Sequence, residues 1–149
     1  MNHPGYDLTV SEDRLRYDFA SEGPRGSIRK VIEYSYVPWL GMWNLGFGDF
    51  DTATGQVSDS IITDNGDGRK VMATVIRTVP DFFSFRPGET VIFTGSDERR
   101  TRIYKRIILQ YSAEFSDHFI IRGLDSNGDE HSIETDSHYI AFTIKQKVF

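Results

Sequence analysis

The chain contains no cysteine, and that single absence excludes a disulfide scaffold, a cysteine-ligated zinc, an iron–sulfur cluster and a thiol nucleophile. Long apolar runs are absent too. The opening MNHPGYDLTVSEDRLRYDF lacks the apolar core of a signal peptide, and no stretch approaches the ~20 apolar residues of a membrane helix. These features lead us to expect a soluble cytoplasmic protein with no membrane association. Basic residues are outnumbered, 17 Lys and Arg against 22 Asp and Glu, for a net charge of −5, which argues against wholesale nucleic-acid binding. Zinc-enzyme spacing is missing as well. His3, His118, His131 and His138 form no HExxH or HxE pattern, and no GxSxG elbow surrounds a serine. No cofactor is implied.

What is present is a core-forming composition. Eleven Phe, seven Tyr and two Trp in 149 residues support one domain over 1–149, large enough to be stable without staples. Alternating apolar and polar residues predict strands over 6–10, 15–20, 27–37, 43–50 and 56–63. Gly23, Pro24 and Gly26 mark a turn at 21–26. The period then changes. Val71, Met72, Val75, Ile76, Val79 and Phe83 recur at helical spacing behind Asp67, a fitting N-cap, and Pro80 should end or kink this helix. TVIFTG (90–95) reads as a buried strand. Ser96 should cap a second helix, with Asp97 and Glu98 in its first turn and Ile103, Tyr104, Ile107, Ile108, Tyr111 and Phe115 on its buried stripe. Strands at 118–124, around 131–134 and at 139–148 complete the chain. The expected fold is α+β: an antiparallel-dominated mixed sheet with two helices packed on one face. The segment from strand 56–63 through the first helix to strand 90–95 suits a crossover connection.

The segment with most chemical promise is Gly95-Ser96 running into Arg99-Arg100-Thr101-Arg102-Ile103-Tyr104. A strand-to-helix junction offers free N–H groups and the positive end of the helix dipole, which suits a phosphate or a nucleotide. On the helical wheel Arg100 falls inside the apolar arc, whereas Arg99, Arg102 and Arg106 lie on the solvated side. An inward guanidinium requires a carboxylate, such as one on the facing sheet, carbonyl oxygens, or a bound anion. Gly95, Ser96, Arg100, Arg102 and Tyr104 are therefore the candidate ligand-binding residues. The glycine spacing and lysine of a P-loop are missing.

Other groupings have ordinary readings beside chemical ones. Asp49, Asp51, Asp59, Asp64 and Asp67 could hold Mg²⁺, yet Asp-Asn-Gly-Asp-Gly is also common turn and cap vocabulary. Asp125-Ser-Asn-Gly-Asp129 superficially resembles a calcium loop but suits a hairpin turn better. Tyr17, Tyr34, Tyr36, Trp39 and Trp43 lie among Arg14, Arg16, Arg25 and Arg29, which could stack bases or form core.

Three stretches together carry a resemblance: Asn44-Leu45-Gly46-Phe47-Gly48-Asp49, then Asn65-Gly66-Asp67 leading into Val71-Met72-Ala73-Thr74-Val75, then Gly95-Ser96 with Arg100-Thr101-Arg102-Ile103-Tyr104. They resemble a family of small uncharacterised bacterial domains, of the kind found in Bacteroidetes, over roughly 17–147. The resemblance implies a bacterial, cytoplasmic, single-domain protein and supplies no activity. Three functions follow as expectations. The first is a domain binding an anionic ligand or a partner at the start of the second helix. The second is a toxin-like enzyme acting on a nucleotide or nucleic acid, and the third a non-enzymatic subunit contacting a protein partner through Trp39 and Trp43.

Overall fold

The computed structural model describes residues 5–58, 65–95, 97–110, 113 and 117–147. It confirms the α+β class, with two helices and a mixed, mostly antiparallel sheet. The strands are β1 (Thr9–Val10), β2 (Arg16–Gly23), β3 (Gly26–Val37), β4 (Met42–Asp51), β5 (Gln56–Ser58), β6 (Thr90–Phe93), β7 (Phe119–Leu124), β8 (Glu130–His131) and β9 (Ala141–Gln146). The helices are α1 (Gly68–Phe85) and α2 (Glu98–Gln110). Strands bond in the order β1-β2-β3-β4-β6-β9-β7-β8, with β5 on β4. The chain forms two compact units, one of residues 1–35 and 45–86, the other of 36–44 and 87–149.

In the first unit, β2 and β3 pair antiparallel from Arg16↔Glu33 to Gly23↔Gly26. Strand β2 therefore runs through the expected turn to Gly23, because Gly26, at φ +87°, closes a tighter hairpin. A Cβ on Gly23 would lie 1.9 Å from the Asn65 carbonyl oxygen, so only glycine fits there. The two-residue period turns Tyr17, Phe19 and Ser21 inward, opposite Ile32, Lys30 and Ile28 on β3.

Pro80 does not end helix α1, which continues to Phe85. Proline removes one N–H and costs ~3 kcal/mol in a helix interior. The turn beyond it buries Phe82 and Phe83 completely, at ~1.5–3 kcal/mol each, which offsets that cost. Phe82 stacks on Tyr34 at 4.4 Å, and Asp81 accepts a 2.6 Å bond from the Tyr17 hydroxyl, so this last turn is tied to both β2 and β3. The buried face is also broader than the apolar stripe, since Thr74 and Thr78 are fully enclosed. Their hydroxyls donate to helix carbonyls at Lys70 and Val75, which leaves nothing polar uncompensated.

In the second unit, β6 runs parallel to the start of β4, pairing Trp43 with Val91 and Asn44 with Ile92. The crossover thus leaves from β4 rather than from the strand at 56–63. Of that strand, β5 pairs antiparallel with β4 and residues 59–64 lie outside those described. Strand β9 lies between β6 and β7 and is buried from Ala141 to Ile144, as befits an interior strand. Hairpin β7–β8 closes with the Asp125 N–H on the Asp129 carbonyl and Gly128 at φ +83°, the turn expected in place of a calcium loop. Of the stripe on α2, Ile108 is buried and Ile103, Tyr104 and Ile107 are half-buried, while Tyr111 and Phe115 lie outside the described residues.

Candidate ligand-binding cleft

Helix α2 starts at Glu98, three residues after Gly95, and three bonds fix the junction. Thr101, buried at the end of the first turn, donates its hydroxyl to the Asp97 carbonyl at 3.0 Å. The same hydroxyl oxygen accepts the Gly95 N–H at 3.1 Å. Asp97 Oδ1 accepts the Arg100 N–H at 2.8 Å, the bond an N-cap makes. Asp97 therefore caps α2, and the expected cap, Ser96, lies outside the described residues. A Cβ on Gly95 would meet the Thr101 nitrogen at 2.4 Å, so strand and helix touch backbone to backbone.

Beside this junction lies a cleft of about 480 Å³, within the range of small-molecule sites. Thr94 and Gly95 form one end, and Asp97, Glu98, Thr101, Arg102 and Lys105 of α2 form a wall. The β7–β8 turn contributes Asp125 and Ser126, and the segment before β9 contributes Ser137, His138, Tyr139 and Ile140, with Phe142 beneath. That segment is anchored twice. The Tyr139 ring occupies the space a side chain on Gly123 would need, and its hydroxyl donates to the Ser132 carbonyl and accepts the Glu134 N–H. Lys105 Nζ donates to the carbonyls of Thr135 and Ser137 at 2.7 and 2.8 Å.

The charges in the cleft are unequally satisfied. Asp97 holds the helix cap and lies 3.6 Å from Arg100. Asp125 accepts two turn N–H groups and bonds His131 at 2.7 Å; the imidazole bond, followed by that of the Asp129 N–H, holds its carboxyl below the usual range. Glu98 pairs with Arg102 at 3.4 Å on the surface. Lys105, a half-buried residue, differs: among the described residues it forms no ion pair, and its ammonium meets two carbonyls with a third N–H to spare.

Of the candidate residues, Gly95 and Arg102 line this cleft, whereas Arg100 and Tyr104 are not among its walls. Arg100 is half-buried and lies 3.6 Å from Asp97 in its own first turn. Tyr104 packs its ring against Phe93 at 6.1 Å, and burial pushes its hydroxyl pKa up. Lys105 and the 137–142 wall were missed. Lys105 sits three residues after Arg102 on one helix face, a spacing visible in the sequence, but nothing local indicates that the chain returns opposite it.

Among the described residues Asp49, Asp51 and Asp67 take separate partners, and no group of three or more potential metal ligands occurs there. Asp49 pairs with buried Lys30 at 2.5 Å. Asp67 occupies the N-cap position of α1 without a capping bond; it accepts the hydroxyls of Tyr6 and Ser21, both at 2.5 Å. Burial would raise its pKa, but those two bonds prevail and lower it. Asp51 bonds the Ala53 N–H in a turn, and Asp59 and Asp64 lie outside the described residues. Base stacking on the first sheet loses two of its rings, since Tyr17 and Tyr34 are core. Arg16 and Arg29 instead share Asp18 and lie over Phe50.

The chain has an α+β fold, and its second unit holds a cleft with one wall formed by the first two turns of α2. The chain belongs to the family of unknown function DUF6934, whose profile matches residues 2–147. No curated protein and no solved structure matches it. Among the described residues, no helix is long and apolar enough to cross a membrane.

Proposed function

We propose that this domain binds a small molecule carrying an acidic group, anchored by Lys105 and Arg102 in the cleft beside α2. The observation that supports it is Lys105, a half-buried residue in a cleft wall whose ammonium donates to two backbone carbonyls and, among the described residues, to no carboxylate. An ammonium gains more from a charged acceptor than from neutral carbonyls, and the surface pair of Arg102 with Glu98 is weak enough to be redirected toward an anion. A phosphate, a nucleotide and a carboxylate all carry the required charge. The toxin-like enzyme reading requires Arg100 to converge with an acid in the pocket and draws no support from the cleft walls. A reducing bacterial cytosol, where a cysteine-free chain is at home, is the setting we attach to this function.

The test is a thermal-shift titration of wild type and Lys105→Met with carboxylates and phosphates at constant ionic strength. Binding to the native state raises the melting temperature through linkage, by an amount that grows with concentration. We expect at least one class to stabilise the wild type and to lose that effect in the variant. Equal shifts in both proteins, or none, would remove the proposal.

A second reading rests on a separate feature. Trp39, at the tip between β3 and β4, is 84% exposed, and Tyr36 and Leu40 beside it are about half exposed. Exposed tryptophan is a frequent anchor in protein interfaces, so this tip is where a protein partner would bind. Trp39→Ala leaves cleft binding unchanged on this reading and abolishes only partner association.

A further inference from the structure

Resting on the reading of the cleft as an acid-binding site, we infer that its ligand is a zwitterion of the amino-carboxylate class. The best fit is an apolar amino acid or a short apolar peptide with free termini.

The first argument is charge pattern. The walls hold three carboxylates, Asp97, Glu98 and Asp125, against two permanent cations, Arg102 and Lys105. A polyphosphate would place several negative charges among three wall carboxylates, which repel it. A single carboxylate accompanied by an ammonium suits the same lining, because each ligand charge finds an opposite one.

The second argument is the Arg102–Glu98 pair. At 3.4 Å, with half or more of each side chain exposed, it is an open surface contact. It is itself a separated plus and minus at the cleft rim. A zwitterion can insert between the two, its carboxylate taking the guanidinium fork and its ammonium taking Glu98, so no charge is left alone. Lys105 adds its remaining N–H to the same carboxylate.

The third argument is the apolar part of the lining. Ile140 lines the cleft with 55% of its surface exposed, next to Phe142, and no charged group intervenes between them in sequence. An exposed large aliphatic side chain in a concave site favours a ligand with an apolar substituent. A leucine-like side chain packs against Ile140 in this way.

The experiment is calorimetric titration of the full chain in low-salt buffer. The probes are leucyl-leucine, its N-acetyl form, its C-terminal amide, ATP and inorganic phosphate. We expect leucyl-leucine to bind, and each blocked form to bind about tenfold or more weakly, since each leaves one charged wall group unpaired. Lys105→Met should weaken leucyl-leucine similarly. Glu98→Gln, an exposed substitution that does not threaten folding, should weaken leucyl-leucine but leave the N-acetyl form unchanged, isolating the ammonium contact. Binding of ATP or phosphate that depends on Lys105, with no binding of leucyl-leucine, would overturn the zwitterion and leave the acid-binding cleft standing. Equal binding of free and blocked dipeptides would overturn it too. No binding by any probe would remove both readings.

Discussion

Replacing Gly95 by alanine probes the strand-to-helix junction with a single methyl group. The new Cβ would lie 2.4 Å from the Thr101 nitrogen and 2.7 Å from both the carbonyl carbon and the Cβ of Arg100. Two of these atoms are helix backbone, so relief requires moving β6 or the first turn of α2. Overpacking of this kind costs ~1–3 kcal/mol. Separation also weakens the Gly95 N–H bond to Thr101, adding about 1 kcal/mol. The total, ~2–4 kcal/mol, corresponds to a fall in melting temperature of roughly 5–15 °C for a chain of this length. Gly68 provides the contrast: it opens α1, a methyl added there would have nothing within 4 Å, and the substitution gains helix propensity. Gly68→Ala should be neutral or stabilising by up to ~1 kcal/mol. Urea denaturation of the two variants beside wild type checks both. A Gly95→Ala protein within about 0.5 kcal/mol of wild type would refute the close approach.

Asp97→Ala removes the α2 cap and should cost ~1 kcal/mol, measured by urea unfolding; an unchanged midpoint would place the helix start elsewhere. Pro80→Ala restores an N–H within α1 at an exposed position and should stabilise by ~1–3 kcal/mol; a loss of stability in thermal unfolding would contradict the helix running through that residue. Asp67 has a folded pKa below its unfolded value, so its contribution is present above the ordinary carboxylate range and is lost as pH falls through the folded pKa. Asp67→Asn should therefore flatten the acid limb of a stability-against-pH curve and lower the plateau near neutrality, and an acid limb identical to wild type would show that the Tyr6 and Ser21 bonds are not made.

Periodicity made most of the fold legible. Alternation located β2 and β3, and the apolar recurrence located α1, because both patterns report one buried face. Pro80 misled because a local rule was outweighed by two phenylalanines whose burial depends on strands far away in sequence. The crossover was misplaced for a related reason: nothing local specifies which earlier strand β6 will pair with, and β4 prevails over β5. Lys30 could have been noticed. It falls on the inward positions 28, 30, 32 and 34 of β3, where a lysine must find a carboxylate, and Asp49 supplies it. In the cleft, the helix side was readable as a strand–glycine–helix junction bearing Arg102. The opposing wall was not, because Tyr139 and Ile140 reach it through the long-range pairing of β9.

The central claim is that Lys105 anchors an acidic ligand in the cleft, and amide chemical-shift mapping tests it directly. Titrating leucyl-leucine into isotope-labelled protein should move the amides of Gly95, Thr101, Ser126 and Ile140 together, along one saturating curve, and in Lys105→Met the same amides should move only at about tenfold or more higher ligand concentration. Shifts scattered away from these four amides, or identical in the two proteins, would contradict the account.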